Sequence, residues 1–290
     1  MVTSEDFGKF ETAWCPGCGN FAILDAVKAA LVACDLAPHQ VLLVSGIGQS
    51  SKLPHYLRCN CFNVIHGRAL PAATGAKLAN STLPVIAVGG DGDGYAEGGN
   101  HFLHALRRNI GITYLVHDNQ VFALTKGQAS PTSDTGFHTG TTPWGLPLPP
   151  FNPVAIAVEM NVSLVARGYA GEKEHLAGLI AEGIRTPGFA LIDILQPCVT
   201  FNKVNTYRWY RERCYKLDQS HNAADRDAAL AKAREWGDHI PIGILYRGNR
   251  PAYETLVPGL KAGPLVARTL DPRAIAPLLP RFEAGTVAAS

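Results

Sequence analysis

Asp91 stands in the run Gly89-Gly90-Asp91-Gly92-Asp93-Gly94, directly after the apolar stretch 83–88, and Asn119 stands directly after a second apolar stretch, 112–117. If both stretches are parallel strands of an open α/β sheet, their carboxyl ends deliver a carboxylate and an amide oxygen to one crevice, where ligands collect in such sheets. A pair of hard oxygen donors suits Mg²⁺, which prefers near-octahedral oxygen and shares its shell between one or two protein groups and substrate phosphates. A diphosphate would complete that shell. The glycines flanking Asp91 remove Cβ atoms where phosphate oxygens must approach the backbone, and 97–108 reads as a helix whose N-terminal amides could face the anion. A tight Gly/Asp turn is the bland alternative for the run alone; Asn119 at a crossover distance favours a site.

Cys15 and Cys18, in Cys15-Pro16-Gly17-Cys18-Gly19, precede a helix expected over 21–34. That spacing lets two thiolates grip one metal centre. Zinc, an iron-sulfur centre and a thiol redox pair all fit locally. A thioredoxin-type pair should follow the first strand of its fold, and no strand is expected before Trp14. Structural zinc usually brings a second short-spaced pair, for which Cys59-Asn60-Cys61 is a poor fit. Cys198, beyond a strand over 189–195 and Pro197, is the natural long-range ligand. Cys34 and Cys214 read as free thiols without a role.

The elements that must position these groups follow from the patterning. A strand over 41–44 runs into Gly46-Ile47-Gly48, and helices are expected over 51–57 and 68–79. After the two strands that carry Asp91 and Asn119 comes 127–150, rich in Pro, Gly, Ser and Thr, which reads as a long ordered loop or lid. Segments 154–160, 164–166, 173–184 and 189–195 resume the alternation, predicting an α/β fold, a mostly parallel sheet with helices on both faces. The site-bearing domain is expected over 1–204. Residues 205–290 form a C-terminal extension packing on a partner subunit, with an amphipathic helix over 223–236 and a Pro- and Gly-punctuated stretch, 251–290, that wraps over the partner or frays. No internal repeat is visible.

At 290 residues and 47% hydrophobic content the chain can build a substantial core. A formal charge of +2 predicts no nucleic-acid partner. No apolar run is long enough to span a bilayer, and the polar start 1–10 lacks a signal-peptide core, so no membrane association and a cytoplasmic location are expected. Seven cysteines in a reducing compartment, where structural disulfides are uncommon, make metal or redox chemistry the leading account.

Gly90-Asp91-Gly92, followed after 26 intervening residues by Asn119, resembles the thiamine diphosphate signature, in which the Asp, the Asn and a main-chain carbonyl two residues later hold Mg²⁺ on the cofactor's diphosphate; here that carbonyl is Val121's. Four further stretches narrow the match: Trp14-Cys15-Pro16-Gly17-Cys18-Gly19, Ser45-Gly46-Ile47-Gly48, His66-Gly67-Arg68-Ala69, and Leu124-Thr125-Lys126-Gly127-Gln128-Ala129-Ser130-Pro131-Thr132. Together, over roughly residues 10 to 215, they resemble the β subunit of 2-oxoacid:ferredoxin oxidoreductases, of the 2-oxoglutarate type. No single stretch is specific; five in the expected order are.

The resemblance implies the thiamine diphosphate-binding fold, with thiamine diphosphate, Mg²⁺ and a [4Fe-4S] cluster as cofactors. Cys15, Cys18 and Cys198 would hold the cluster with one further ligand. Many relatives carry Cys after Gly-Ile-Gly, where this chain has Gln49; Cys59 is the preferred replacement and Cys61 the alternative. The implied reaction is coenzyme A-dependent oxidative decarboxylation of a 2-oxoacid to acyl-CoA and CO₂, with electrons passed through the cluster to ferredoxin, or its CO₂-fixing reverse. His66 resembles a position near the cofactor's reactive end, where an imidazole could donate to the substrate keto oxygen or shuttle a proton. A His capping the helix that starts near Arg68 is the structural alternative. Lys52 and Leu124 resemble substrate-pocket positions, and a Lys there can pair with a distal carboxylate, favouring 2-oxoglutarate over pyruvate. Lys126 is a candidate for coenzyme A or cofactor phosphate, whereas Arg107 and Arg108 offset a helix dipole. The carboxylate that serves the aminopyrimidine ring is implied to come from an obligate α subunit, across a large interface. Alone, the chain is then expected to be inactive.

A pyruvate-specific member of the family and a non-oxidative thiamine diphosphate decarboxylase are the competing functions; the second would use Asp91 and Asn119 but not the three cysteines. A non-catalytic zinc or iron-sulfur module would use the cysteines and leave the diphosphate site unexplained.

Overall fold

The computed structural model describes residues 1–269 and 271–282. The strands are β1 (Leu42–Ser45), β2 (Asn60–Asn63), β3 (Val85–Gly90), β4 (Thr113–Asp118), β5 (Val121–Phe122), β6 (Gln128–Ala129), β7 (Leu164–Tyr169), β8 (Ala190–Leu195), β9 (Cys214–Lys216) and β10 (Ile240–Arg247). Eight of them form one sheet in the order β2-β1-β3-β4-β8-β7-β10-β9. Neighbours run parallel except β10 against β7. β3, β4, β8 and β7 are mostly apolar and buried along almost their whole length, as strands covered on both faces must be, with Asp118, Arg167 and Asp193 as buried charged exceptions. β2, at the edge, is exposed throughout.

The helices are α1 (Gly19–Ala33), α2 (Ala69–Ala79), α3 (Gly99–Arg108), α4 (Pro153–Glu159), α5 (Lys173–Arg185), α6 (Tyr207–Arg213), α7 (Arg226–Arg234) and α8 (Tyr253–Leu256). On one face α1 packs on α5, and Ile23, Val27, Leu31, Leu176 and Ile180 join one apolar cluster with Leu43 and Ile192 of the sheet. On the other face α2, α3, α4 and α7 bury Ala73, Phe102, Leu106, Val158 and Ala229 against Ala87, Val116 and Leu191. The expected architecture of a mostly parallel sheet with helices on both faces is the one observed.

Three local differences have physical causes. The segment expected as a helix over 51–57 is the 3₁₀ stretch Ser50–Tyr56, because Pro54 inside it lacks a donor N–H and crowds an α-helical turn. The helix expected over 97–108 starts at Gly99, since a π-helical turn, Gly92–Glu97, follows Asp91 directly. Beyond residue 205, where the pattern weakens, the chain supplies β9 and β10, so sheet pairing continues past the expected 204/205 division. The loop 127–150 is irregular apart from β6, as its composition predicts. Of the stretch 251–290, residues 270 and 283–290 lie outside the described residues. Its 3₁₀ segment Pro272–Phe282 buries no side chain. Among the described residues no helix is long and apolar enough to cross a membrane.

Candidate functional site

The register of β3 and β4 pairs Gly90 with His117, so Asp91 and Asn119 leave adjacent parallel strand ends. Both side chains are buried, and they line one cleft with Gln49, His66, Val121 and Leu124. Asp91 Oδ2 accepts from Ser130 Oγ at 2.5 Å and from Thr132 Oγ1 at 2.9 Å. Burial pushes the Asp91 carboxyl up to about 6, against the pull of those two hydroxyls. A divalent cation would offset that burial, so the carboxylate and the neighbouring amide fit a hard ion shared with a diphosphate. Asn119 Oδ1 accepts from the Val121 N–H at 3.1 Å. Between them Gln120 adopts φ +59° and turns the chain back, so that β5 and β6 fold as a hairpin at the mouth of the cleft.

The glycines beside Asp91 answer to protein packing first. A Cβ on Gly92 would come within 2.4 Å of the Phe122 ring, and one on Gly90 within 3.0 Å of Ser50 Oγ. The amides that follow Asp91 belong to the π-helical turn rather than to α3.

His66 does not cap α2, whose N-cap residue is Arg68. Instead its Nδ1 lies 2.7 Å from Asp93 Oδ1, with the imidazole 38% exposed and Asp93 only 2% exposed. The approach is short, and Nδ1 makes no aligned hydrogen bond. Asp93 Oδ1 also accepts the N–H groups of Ile47 at 3.0 Å and Gly67 at 2.9 Å. Burial raises the Asp93 carboxyl, and the two amides and His66 oppose that rise. One carboxylate, itself in the wall of the cleft, therefore ties the Ile47 and Gly67 loops together and touches the imidazole at Nδ1.

Leu124, 43% exposed, lines the cleft from the β5–β6 hairpin. Lys126 is exposed in the same hairpin at φ +79°. Lys52 does not line the cleft; it follows Ser50, which does, and makes no ion pair among the described residues.

A second pocket is lined by Cys15, Cys18 and Cys198 together with Gln196 and Phe201. The Cys18 N–H donates to the Cys15 carbonyl at 3.0 Å, which closes the turn before α1 and brings the two thiols to one side. Burial pushes the Cys18 thiol up to about 11, and the nearby Cys198 and Cys15 add to the rise. Sulfur also receives donors, since the Phe201 N–H points at Cys198 Sγ from 3.5 Å. Three thiols line this pocket, and their residue type is the one an iron centre takes. The fourth thiol does not join them. Cys59 lies outside this pocket, packed on the apolar cluster beneath α1, and burial with Cys61 beside it pushes its thiol up to about 12. Gln49, which does line the pocket, carries a buried side-chain oxygen with no hydrogen-bond partner. Among the described residues no group of three or more His, Cys, Asp or Glu is drawn together to hold a metal ion. Gln49, Asn119 and Ala123 line both pockets, so the two share a wall.

Four residues of this constellation escape a reading by motif. Ser130 and Thr132 buttress Asp91 from the opening of the long loop, Asp93 contacts His66, and Gln196 lines the thiol pocket while bonding Asn119. The second Asp of Gly-Asp-Gly-Asp-Gly was the available signal for Asp93, and the position just before Pro197-Cys198 for Gln196.

Comparisons with known proteins agree on the fold and the family. A family profile described as "Thiamine pyrophosphate enzyme, C-terminal TPP binding domain" matches residues 41–194, and the profile for the C-terminal part of the pyruvate ferredoxin oxidoreductase β chain matches residues 198–262. The chain is 46% identical over 247 residues, 81% of each protein, to a 2-oxoacid:ferredoxin oxidoreductase subunit beta of Saccharolobus solfataricus. It is 44% identical over 192 residues, 66% of this chain and 52% of the relative, to the 2-oxoglutarate oxidoreductase subunit KorB of Mycobacterium tuberculosis. Among solved structures it matches 2-oxoglutarate:ferredoxin oxidoreductase from Magnetococcus marinus, with 2-oxoglutarate, coenzyme A and succinyl-CoA bound, at a TM-score of 0.89 and 34% identity, covering 96% of each chain.

Proposed function

Because the chain belongs to the family of 2-oxoacid:ferredoxin oxidoreductase β subunits, we propose that with an α subunit it catalyses coenzyme A-dependent oxidative decarboxylation of a 2-oxoacid to acyl-CoA and CO₂, with ferredoxin as electron acceptor. The observation that carries this reading is the shared wall. Gln49, Asn119 and Ala123 border both the cleft of Asp91 and the pocket of Cys15, Cys18 and Cys198. Adjacent oxygen and sulfur sites are what an oxidative reaction needs and what a non-oxidative thiamine enzyme does not.

When bound, thiamine diphosphate supplies the electron sink that lets a 2-oxoacid lose CO₂. The chain's own residues bind and orient. Asp91, Asn119 and the Val121 carbonyl would hold Mg²⁺ on the diphosphate, with Ser130 and Thr132 fixing the Asp91 oxygens. His66, restrained at Nδ1 by Asp93, has its other ring nitrogen free to hold a proton at the substrate keto oxygen. Cys15, Cys18 and Cys198 would supply three ligands of a [4Fe-4S] cluster. For the fourth position Gln49 is the better placed group, and Cys59 would have to leave the apolar cluster to reach it.

Lys52, two residues beyond the cleft-lining Ser50 and outside the cleft wall itself, is the cation we assign to a distal carboxylate, which favours 2-oxoglutarate; the names of the Mycobacterium tuberculosis and Magnetococcus marinus relatives support the same substrate. Lys126, exposed on the hairpin, suits a phosphate of coenzyme A. The decisive experiment is anaerobic co-purification with the α subunit, an iron assay and 2-oxoacid-dependent reduction of a viologen dye. Iron together with coenzyme A-dependent dye reduction is expected. An iron-free protein that releases CO₂ without reducing dye would sink the reading.

A further inference from the structure

We propose that Gln196 is a positioning residue that couples the two centres, its amide oxygen holding Asn119 and its amide nitrogen donating to the Cys18 sulfur; the inference rests on the functional reading above. Gln196 is 1% exposed. Its Oε1 accepts from Asn119 Nδ2 at 2.8 Å. Its Nε2 donates to Cys18 Sγ at 3.4 Å and to the Pro197 carbonyl at 2.8 Å. A sulfur and a carbonyl at one end of the amide, and an NH₂ group at the other, settle which way the amide faces.

The surroundings leave the side chain little freedom. The Gln196 N–H donates to the Asp118 carbonyl at 2.8 Å, which registers it to the strand end that carries Asn119. A Cβ on Gly19 would lie 2.9 Å from Gln196 Cγ and 3.0 Å from Nε2, so the glycine after Cys18 makes the space that the amide occupies. A bound Asn119 NH₂ leaves Oδ1 as the oxygen that can turn to a metal. An N–H aimed at a ligating sulfur withdraws charge from it, which raises the reduction potential of a cluster. One side chain thus sets both the direction of a diphosphate-site oxygen and the electron affinity of the neighbouring centre. A shift of Asn119 on cofactor binding is transmitted to Cys18.

Gln196→Glu and Gln196→Leu separate the two arms, because the Glu carboxylate still accepts from Asn119 but no longer donates to sulfur. In the complex with its α subunit, purified anaerobically, iron content, the cluster midpoint potential by EPR-monitored titration, and Mg²⁺-dependent thiamine diphosphate affinity by fluorescence are measured. Q196E should lower the midpoint with cofactor affinity kept within about twofold, and Q196L should lower the midpoint and weaken the cofactor about tenfold. In the unsubstituted protein, adding Mg²⁺ and thiamine diphosphate should shift the midpoint; in both variants that shift should vanish. Gly19→Ala, which pushes the amide aside while keeping its chemistry, should reproduce the lowered midpoint if the Leu variant fails to fold. Full iron with an unmoved midpoint in Q196E and in Gly19→Ala overturns the inference and leaves the functional reading standing. An unsubstituted protein without iron overturns the functional reading, and the sulfur arm with it.

Discussion

At the scale of single residues, Asp91 and His66 are each held by a partner from a different part of the chain. Asp91 depends on Ser130 and Thr132, and His66 on Asp93. Asp91→Ala should leave the fold intact by circular dichroism yet weaken Mg²⁺-dependent thiamine diphosphate binding by more than about 100-fold, since even outer partners of a ligand are worth ten- to a hundredfold. Retained affinity would mean that the metal sits elsewhere. Asp93→Asn should lower kcat about 10- to 100-fold with cofactor affinity unchanged, as expected when a proton-handling imidazole loses its restraint. If affinity falls in step with kcat, Asp93 is only a brace for the Ile47 and Gly67 loops. The thiols give a pH-dependent prediction. Burial pushes Cys18 up to about 11, so in iron-free protein it is mostly protonated at pH 8 and should be alkylated slowly, gaining speed as pH rises toward that value. Cys15, exposed, should react sooner, and mass spectrometry of iron-loaded protein should find both protected.

Among elements, the β5–β6 hairpin is the most informative. It carries Leu124 and Lys126, presses Phe122 against Gly92, and forms one side of the cleft. Gly92→Ala drives a Cβ to 2.4 Å from the Phe122 ring and should cost about 1–3 kcal/mol in denaturant unfolding as the hairpin shifts. A neutral result would show that the ring can yield freely. The central strands were legible because strands covered on both faces are mostly apolar, whereas β10 was missed although Ile240, Ile242 and Leu245 are buried in it. It enters antiparallel to β7 after a stretch with no helix-strand alternation, and Pro241, Gly243 and the irregular pairing near Ile244 break its pattern. Long-range pairing, not local propensity, makes it a strand.

The sheet of the whole molecule is not closed by the first 204 residues. β7 needs β10 as its outer neighbour, and α7 lies against α4. A chain ending at residue 204 should expose the buried edge of β7 and aggregate, while one ending at residue 262 should stay monodisperse in size-exclusion chromatography, because little past that point is buried. Soluble, two-state behaviour of the shorter chain would contradict this. Past residue 262, Ile275, Leu278, Leu279 and Phe282 are all exposed, which suits the proposal that this end meets a partner subunit.

Residue type and spacing by themselves determined the sheet class, the strand ends that carry Asp91 and Asn119, and the family. Those features depend on local patterns and on ordered motifs, which a linear reading preserves. Only the tertiary structure decided that Cys59 faces an apolar cluster instead of the thiol pocket, that Phe122 packs against Gly92, that Asp93 contacts His66, and that Gln196 bonds both Asn119 and Cys18. Such facts depend on which side chains meet after distant segments pack, and that is set by the closing of the core around the sheet rather than by any neighbour along the chain.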